Sequence, residues 1–136
     1  MIISVDHGNK SIKTPNALFT SGLIVSEGLQ GFKTDYICWN NKYYTLTEQR
    51  IAYLRDKTED ERFYVLTLFA IAKELERIAA ERKKAEENLQ RIEAKLANES
   101  FTSRAPENVV NAEREKAEKA RALIAKLDDS AAAMKL

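Results

Sequence analysis

Cysteine, histidine and tryptophan each occur once in the 136 residues, proline twice and glycine four times. A single cysteine, Cys38, excludes an internal disulfide and a thiolate metal cage, and beside Trp39 it reads as a small buried hydrophobe. No apolar run approaches the eighteen or so residues of a membrane span, so a transmembrane helix is not expected. The opening segment MIISVDHGNK lacks the basic-then-apolar order of a signal peptide. A cytoplasmic protein follows. The formal net charge is +1, and both halves are close to neutral. Bulk electrostatics of that kind predict neither DNA binding nor membrane association. All four glycines fall before residue 58 and no proline interrupts residues 16–105, which leaves the middle of the chain free to form one long helix.

That helix is expected over Thr58–Ala97, about forty residues and roughly 60 Å at 1.5 Å per residue. Thr58 and Glu61 have the spacing of a capping box at its start. Its first half is dense in aromatic and aliphatic residues (Phe63, Tyr64, Val65, Leu66, Leu68, Phe69, Ile71), which predicts burial on more than one side. Its second half has a narrow seam at Leu75, Ile78, Arg82, Ala85, Leu89, Ile92 and Leu96. The three-four alternation is that of a helix packed along a single partner.

Before this helix the chain breaks into short extended runs. Ile2–Val5 and Ser11–Thr14 flank the turn Asp6-His7-Gly8-Asn9, and Leu18–Ser26 is a third run with a bulge expected at Gly22. Asp35–Trp39 and Lys42–Leu46 are joined by Asn40-Asn41, a pair that tolerates left-handed geometry, so a hairpin is expected. Thr47 can cap a short helical turn through Arg50 and Tyr53. Together these describe a small β-meander followed by a helix. Asp6, Gly8 and Lys13 could serve as a phosphate-binding turn, with backbone N–H groups, a carboxylate for a metal's water shell and a lysine on the returning strand. The same spacing describes an ordinary tight turn with solvated ends, the more frequent case, and His7 reads as an exposed polar residue within it.

The stretches IISVDHGNKSIKT, FTSGL and KYYTLTEQRIAYLRDKTEDERFYVLTLFAIAKEL resemble the amino-terminal part of the actin-like ATPases that segregate plasmids in Gram-positive bacteria. The resemblance covers about residues 1–75 and implies one fragment of a two-lobed ATP-clasping fold, with Asp6, Gly8 and Lys13 in its first phosphate-binding turn. The family's second phosphate loop, catalytic carboxylates and nucleoside pocket have no counterpart after Leu75. ATP and magnesium would therefore need the missing lobe, and no hydrolysis is expected of this chain alone.

From Glu76 the composition turns to Ala, Glu, Lys, Arg and Leu. A turn over residues 98–106 leads to a second helix, which Pro106 suits in its first turn and which should run to about Ala133. Its seam is Val110, Glu113, Ala117, Ala120, Ile124, Leu127, Ala131 and Met134. Folding the seams together sets Leu96 against Val110, Ile92 against Glu113, Ala85 against Ala120 and Ile78 against Leu127, so large residues mostly meet small ones. Phe101 is expected to plug the tip. Glu113 and Arg82 interrupt the apolar seam and read as register devices or snorkelling side chains.

The run AKLANESFTSRAPENVVNAEREKAEKARALIAKL, with its NESF turn, RAPENVV and EREK, is similar to the carboxy-terminal coiled-coil arm of bacterial valyl-tRNA synthetases. The likeness covers about residues 76–136. It implies an antiparallel hairpin that leans on the outer corner of tRNA, while the valine activation and editing sites lie in domains absent from this chain. The motif residues Phe101, Arg104, Ala105, Pro106 and Val110 would be mainly structural.

RNA contact requires basic side chains in a stripe. Arg77, Lys84 and Arg91 recur every seven residues on the first helix and Arg114 and Arg121 on the second, with Arg104 at the turn. Interleaved glutamates allow the plainer reading of solvated faces held by helix-surface ion pairs.

The expected architecture is therefore α+β: an actin-like lobe fragment over 1–75, then a long helix continuing into an antiparallel two-helix hairpin over 76–136. A non-catalytic tRNA-contacting arm is the leading reading. An actin-like partition fragment whose hairpin serves as spacer or oligomerisation element is the alternative, with self-association through an exposed sheet or through the hairpin.

Overall fold

The computed structural model describes residues 3–28 and 35–134. They form an α+β protein with six strands in two antiparallel sheets and a long helix. It resolves into two compact units that divide between Glu74 and Leu75. Ile2, the first residue of the expected first strand, lies outside the described residues.

In the amino-terminal unit, β1 (Asp6–His7), β2 (Ser11–Lys13) and β3 (Leu18–Thr20) make a three-stranded meander. Strands β4 (Leu23–Ser26), β5 (Tyr36–Trp39) and β6 (Lys42–Leu46) make a second sheet in the order β4-β6-β5. The β5–β6 connection is the hairpin expected from the sequence. Asn40 and Asn41 stand at φ 48° and 60°, the pair of left-handed residues that matches the twist of a two-residue hairpin.

The expected third run is two strands. The chain leaves one sheet at Thr20 and joins the other at Leu23, and the two residues between are clamped. Ser21 N–H donates to the Lys10 carbonyl at 3.2 Å, and Ile51 N–H and Thr47 N–H donate to the Ser21 and Gly22 carbonyls at 2.9 and 3.1 Å. The helical turn expected after Thr47 does not form, because Ile51 N–H is committed to Ser21 rather than to the carbonyl four residues before it. Thr47 Oγ1 accepts only from Gln49 N–H, at 3.3 Å.

Helix α1 (Glu61–Ala97) begins three residues later than expected. The Thr58–Glu61 capping box is not used. Thr58 turns back to Asp56, donating N–H and Oγ1–H to Oδ1 at 2.9 and 2.6 Å. Asp60 caps instead, its Oδ1 accepting from Arg62 N–H at 2.9 Å. The first part of α1 supplies Phe63, Val65, Leu66, Phe69 and Ala70 to a core completed by Ile12, Leu23, Tyr44 and Ile51 from the strands and the segment after them. Cys38 is exposed, not buried as expected, because its strand position faces away from that core.

The carboxy-terminal unit comprises the rest of α1, the short α2 (Glu99–Arg104) and α3 (Glu107–Ala132). The expected turn is mostly this extra helix, capped by Asn98, whose side chain accepts from Ser100 N–H at 3.0 Å. Ile78, Ala85 and Ile92 are buried on α1, as are Val110, Glu113, Ala117, Ala120 and Leu127 on α3. Ion pairs join the two helices in antiparallel order, Lys95 to Glu113 at 3.2 Å, Glu93 to Arg121 at 2.7 Å and Arg82 to Asp128 at 2.5 Å. No described helix is long and apolar enough to cross a membrane.

Candidate nucleic-acid interface

The structure brings the residues of the expected phosphate turn onto one hairpin, with Lys13 on the returning strand. Asp6 lies in β1, not in the turn, directly across from Lys13 in β2, and both side chains are exposed on a strand pair. Only Gly8 belongs to the turn, where a Cβ would stand 2.9 Å from the Ser11 carbonyl oxygen. Among the described residues no three His, Cys, Asp or Glu side chains converge as a metal site would require.

His7 is half-buried rather than exposed. Thr67 Oγ1–H donates to the Phe63 carbonyl at 3.0 Å, so the His7 Nε2 at 2.8 Å from Thr67 Oγ1 carries the hydrogen and donates. Burial lowers its pKa, opposed by the backbone hydrogen bond at Phe63 and helped by a smaller push from Lys57. Glu61, at the start of α1, accepts from Lys42 Nζ at 3.0 Å and Tyr44 Oη at 2.8 Å. Burial first, then the bond to that carboxylate, raises the Tyr44 hydroxyl to about 12. This polar cluster is a structural latch between β6 and the helix start.

In the carboxy-terminal unit the six basic residues expected at an RNA surface fall into different states. Arg77 pairs with Glu81 at 2.7 Å. Arg121 is held by Glu93 at 2.7 Å and by Glu118. Arg114 donates to the Asn111 side-chain carbonyl at 3.3 Å. Lys84, Arg91 and Arg104 are exposed and make no ion pair among the described residues. Arg82 leaves the seam for Glu86, at 2.7 Å, and Asp128, which is the snorkelling expected of it. Glu113 stays in the seam. Hydrogen bonds from Lys116 and Lys95 hold its carboxyl below the usual range. Lys95 also sits 4.7 Å over the Phe101 ring, joining the helix end to α2.

The seven-residue repeat of arginines drew attention to Arg114 and Arg121 and passed over Lys116 and Lys119. These two line a groove of about 420 Å³ with Ala85, Asn88, Ile92, Glu113, Ala120 and Leu123. The signal for them was available in the seam, since both flank its Glu113–Ala120 side.

The unit is thus a pair of charged helices closed by ion pairs, with exposed basic residues that make no ion pair among the described residues. Residues 70–135 match the family described as the valyl tRNA synthetase tRNA binding arm. Among curated proteins, the valine--tRNA ligase of Clostridium acetobutylicum is 39% identical over 71 residues, 52% of this chain and 8% of that enzyme. That of Clostridium perfringens is 52% identical over 52 residues, 38% of this chain and 6% of the enzyme. That of Phocaeicola vulgatus is 45% identical over 62 residues, 46% of this chain and 7% of the enzyme. No solved structure matches. The carboxy-terminal region therefore resembles the tRNA-binding arm of valyl-tRNA synthetases, and this chain spans under a tenth of the length of those relatives.

Proposed function

We propose that residues 75–134 act as a non-catalytic, tRNA-contacting coiled-coil arm of valyl-tRNA synthetase type. The observation that carries this reading is the family match over 70–135, which coincides with the unit of paired helices. Lys84, Arg91 and Arg104 are the contacts on this reading, because their charges are not consumed by neighbouring carboxylates. Arg77, Arg114 and Arg121 contribute less, each being already engaged by the protein.

Such an arm binds through phosphates, so its affinity falls with salt and is indifferent to nucleotide. The test is a titration of the full chain against total bacterial tRNA at low and physiological salt, with ATP and magnesium present or absent. Binding at low salt that weakens on adding salt, unchanged by ATP, is expected. Each phosphate contact contributes about 0.7–0.9 to the slope of log affinity against log salt. Absence of binding at low salt overturns the reading.

A further inference from the structure

Asn88 on α1 and Lys116, Lys119 and Leu123 on α3 line one groove, so the two helix flanks that carry them form a single face. By helical spacing Lys84 and Arg91 lie one turn either side of Asn88, and Lys126 lies one turn beyond Leu123, on that same face. Glu93 and Asp128 lie on the opposite side, where they meet Arg121 and Arg82 across the helices. A nearly neutral chain thus presents a basic face. Its acidic members there are Glu81, paired with Arg77, Glu113, tucked into the seam at 8% exposure, and at its outer border Glu87 and Glu115, one turn from Arg91 and Lys119.

The same face carries the unit's exposed large apolar side chain at the groove, Leu123, 46% exposed. The groove exists because the layer beneath it pairs two small residues. Ala85 and Ala120 are both buried and leave space that a larger pair would fill. Its walls are therefore largely apolar (Ala85, Ile92, Ala120, Leu123), with one amide, Asn88, the Glu113 carboxylate held by Lys116 at 2.9 Å, and the Lys119 ammonium group at the edge. Flat apolar walls take the face of a base, an amide reads a base edge, and lysines take the flanking phosphates. The volume of about 420 Å³ is within the range of small-ligand pockets.

We infer that this groove is the point at which the arm holds an unstacked nucleotide of its RNA, the base lying over the Ala85–Ala120 floor against Leu123 and its phosphate on Lys119. The inference rests on the tRNA-arm reading and narrows it to one face and one kind of target. A regular duplex keeps its bases stacked, so an RNA with an unpaired loop nucleotide is preferred over a DNA duplex.

The experiment compares three single substitutions in the full chain, each first checked for unchanged helicity, by anisotropy of labelled tRNA across a salt series. Lys119→Glu is expected to weaken binding and to make the salt slope shallower by about 0.7–0.9. Leu123→Ser is expected to weaken binding about fivefold at unchanged slope, because it removes apolar contact surface and no charge. Lys83→Glu makes the same charge change on the opposite flank and is expected to do neither. If Lys83→Glu weakens binding as much as Lys119→Glu, the basic face is wrong while the arm reading stands. An unaltered affinity for Leu123→Ser, or equal affinity for a DNA duplex, overturns the nucleotide site alone. Failure of the unsubstituted chain to bind tRNA at low salt removes the arm reading, and this inference with it.

Discussion

Gly22 is the residue on which the amino-terminal unit turns. A Cβ built there would stand 2.3 Å from the Gln49 carbonyl oxygen and 2.4 Å from that of Thr47. Both are backbone atoms, unable to rotate away, and the segment holding them is pinned to Ser21 and Gly22 by two hydrogen bonds. Gly22→Ala is therefore expected to destabilise this unit by about 3 kcal/mol, the upper end of overpacking costs, measured as a lower urea midpoint of the Trp39 fluorescence transition. An unchanged midpoint would mean that the close approach is not real. The sequence marked Gly22 as special but as a bulge within one strand. What it could not display was the partner, because residues 47–49 reach Gly22 only through long-range hydrogen bonds. His7 was misjudged for the same reason. Its surroundings, Phe63, Thr67 and Lys57, lie at least fifty residues away in sequence.

At the level of elements, periodicity was the legible signal. Every seam residue expected from Leu75 to Leu96 on α1, and from Val110 to Met134 along α3 and the turn after it, is buried or half-buried. Helix α2 escaped notice because six residues offer too few turns for a period to register. The seam's one acid makes a prediction. The Glu113 carboxyl is held below its usual 4.5 by Lys116 and Lys95. A depressed carboxyl contributes stability that is present above the unfolded value and is lost as pH falls through the lower folded one. The helical unit should therefore weaken in acid below about pH 4.5. Glu113→Leu should remove that component and leave the unit at least as stable at neutral pH, since an apolar residue suits a seam position better than a paired charge. Thermal unfolding followed at 222 nm at neutral and acid pH checks this. A lower neutral midpoint in Glu113→Leu would show that the three-residue ion cluster stabilises the seam more than packing does.

For the whole molecule the decisive fact is that two cores are built on different physics. One is a cluster of large side chains around Tyr44, Leu66 and Phe69, and the other a thin seam relieved by alanines and closed by ion pairs. Their reporters are separate as well. Trp39, the single tryptophan, packs on Tyr64 with ring centroids 4.9 Å apart in the amino-terminal unit, whereas most of the helix lies beyond Glu74. Tryptophan fluorescence thus follows one unit and helical circular dichroism chiefly the other. The two signals are expected to give different urea midpoints, contrary to two-state behaviour. Gly22→Ala should lower the fluorescence midpoint and leave most of the 222 nm transition in place. Added salt should act in the opposite sense, weakening the exposed ion pairs of the helical unit with little effect on the buried aromatic core. Coincident transitions that shift together in the variant would show instead that α1, which contributes to both cores, makes the chain one cooperative body.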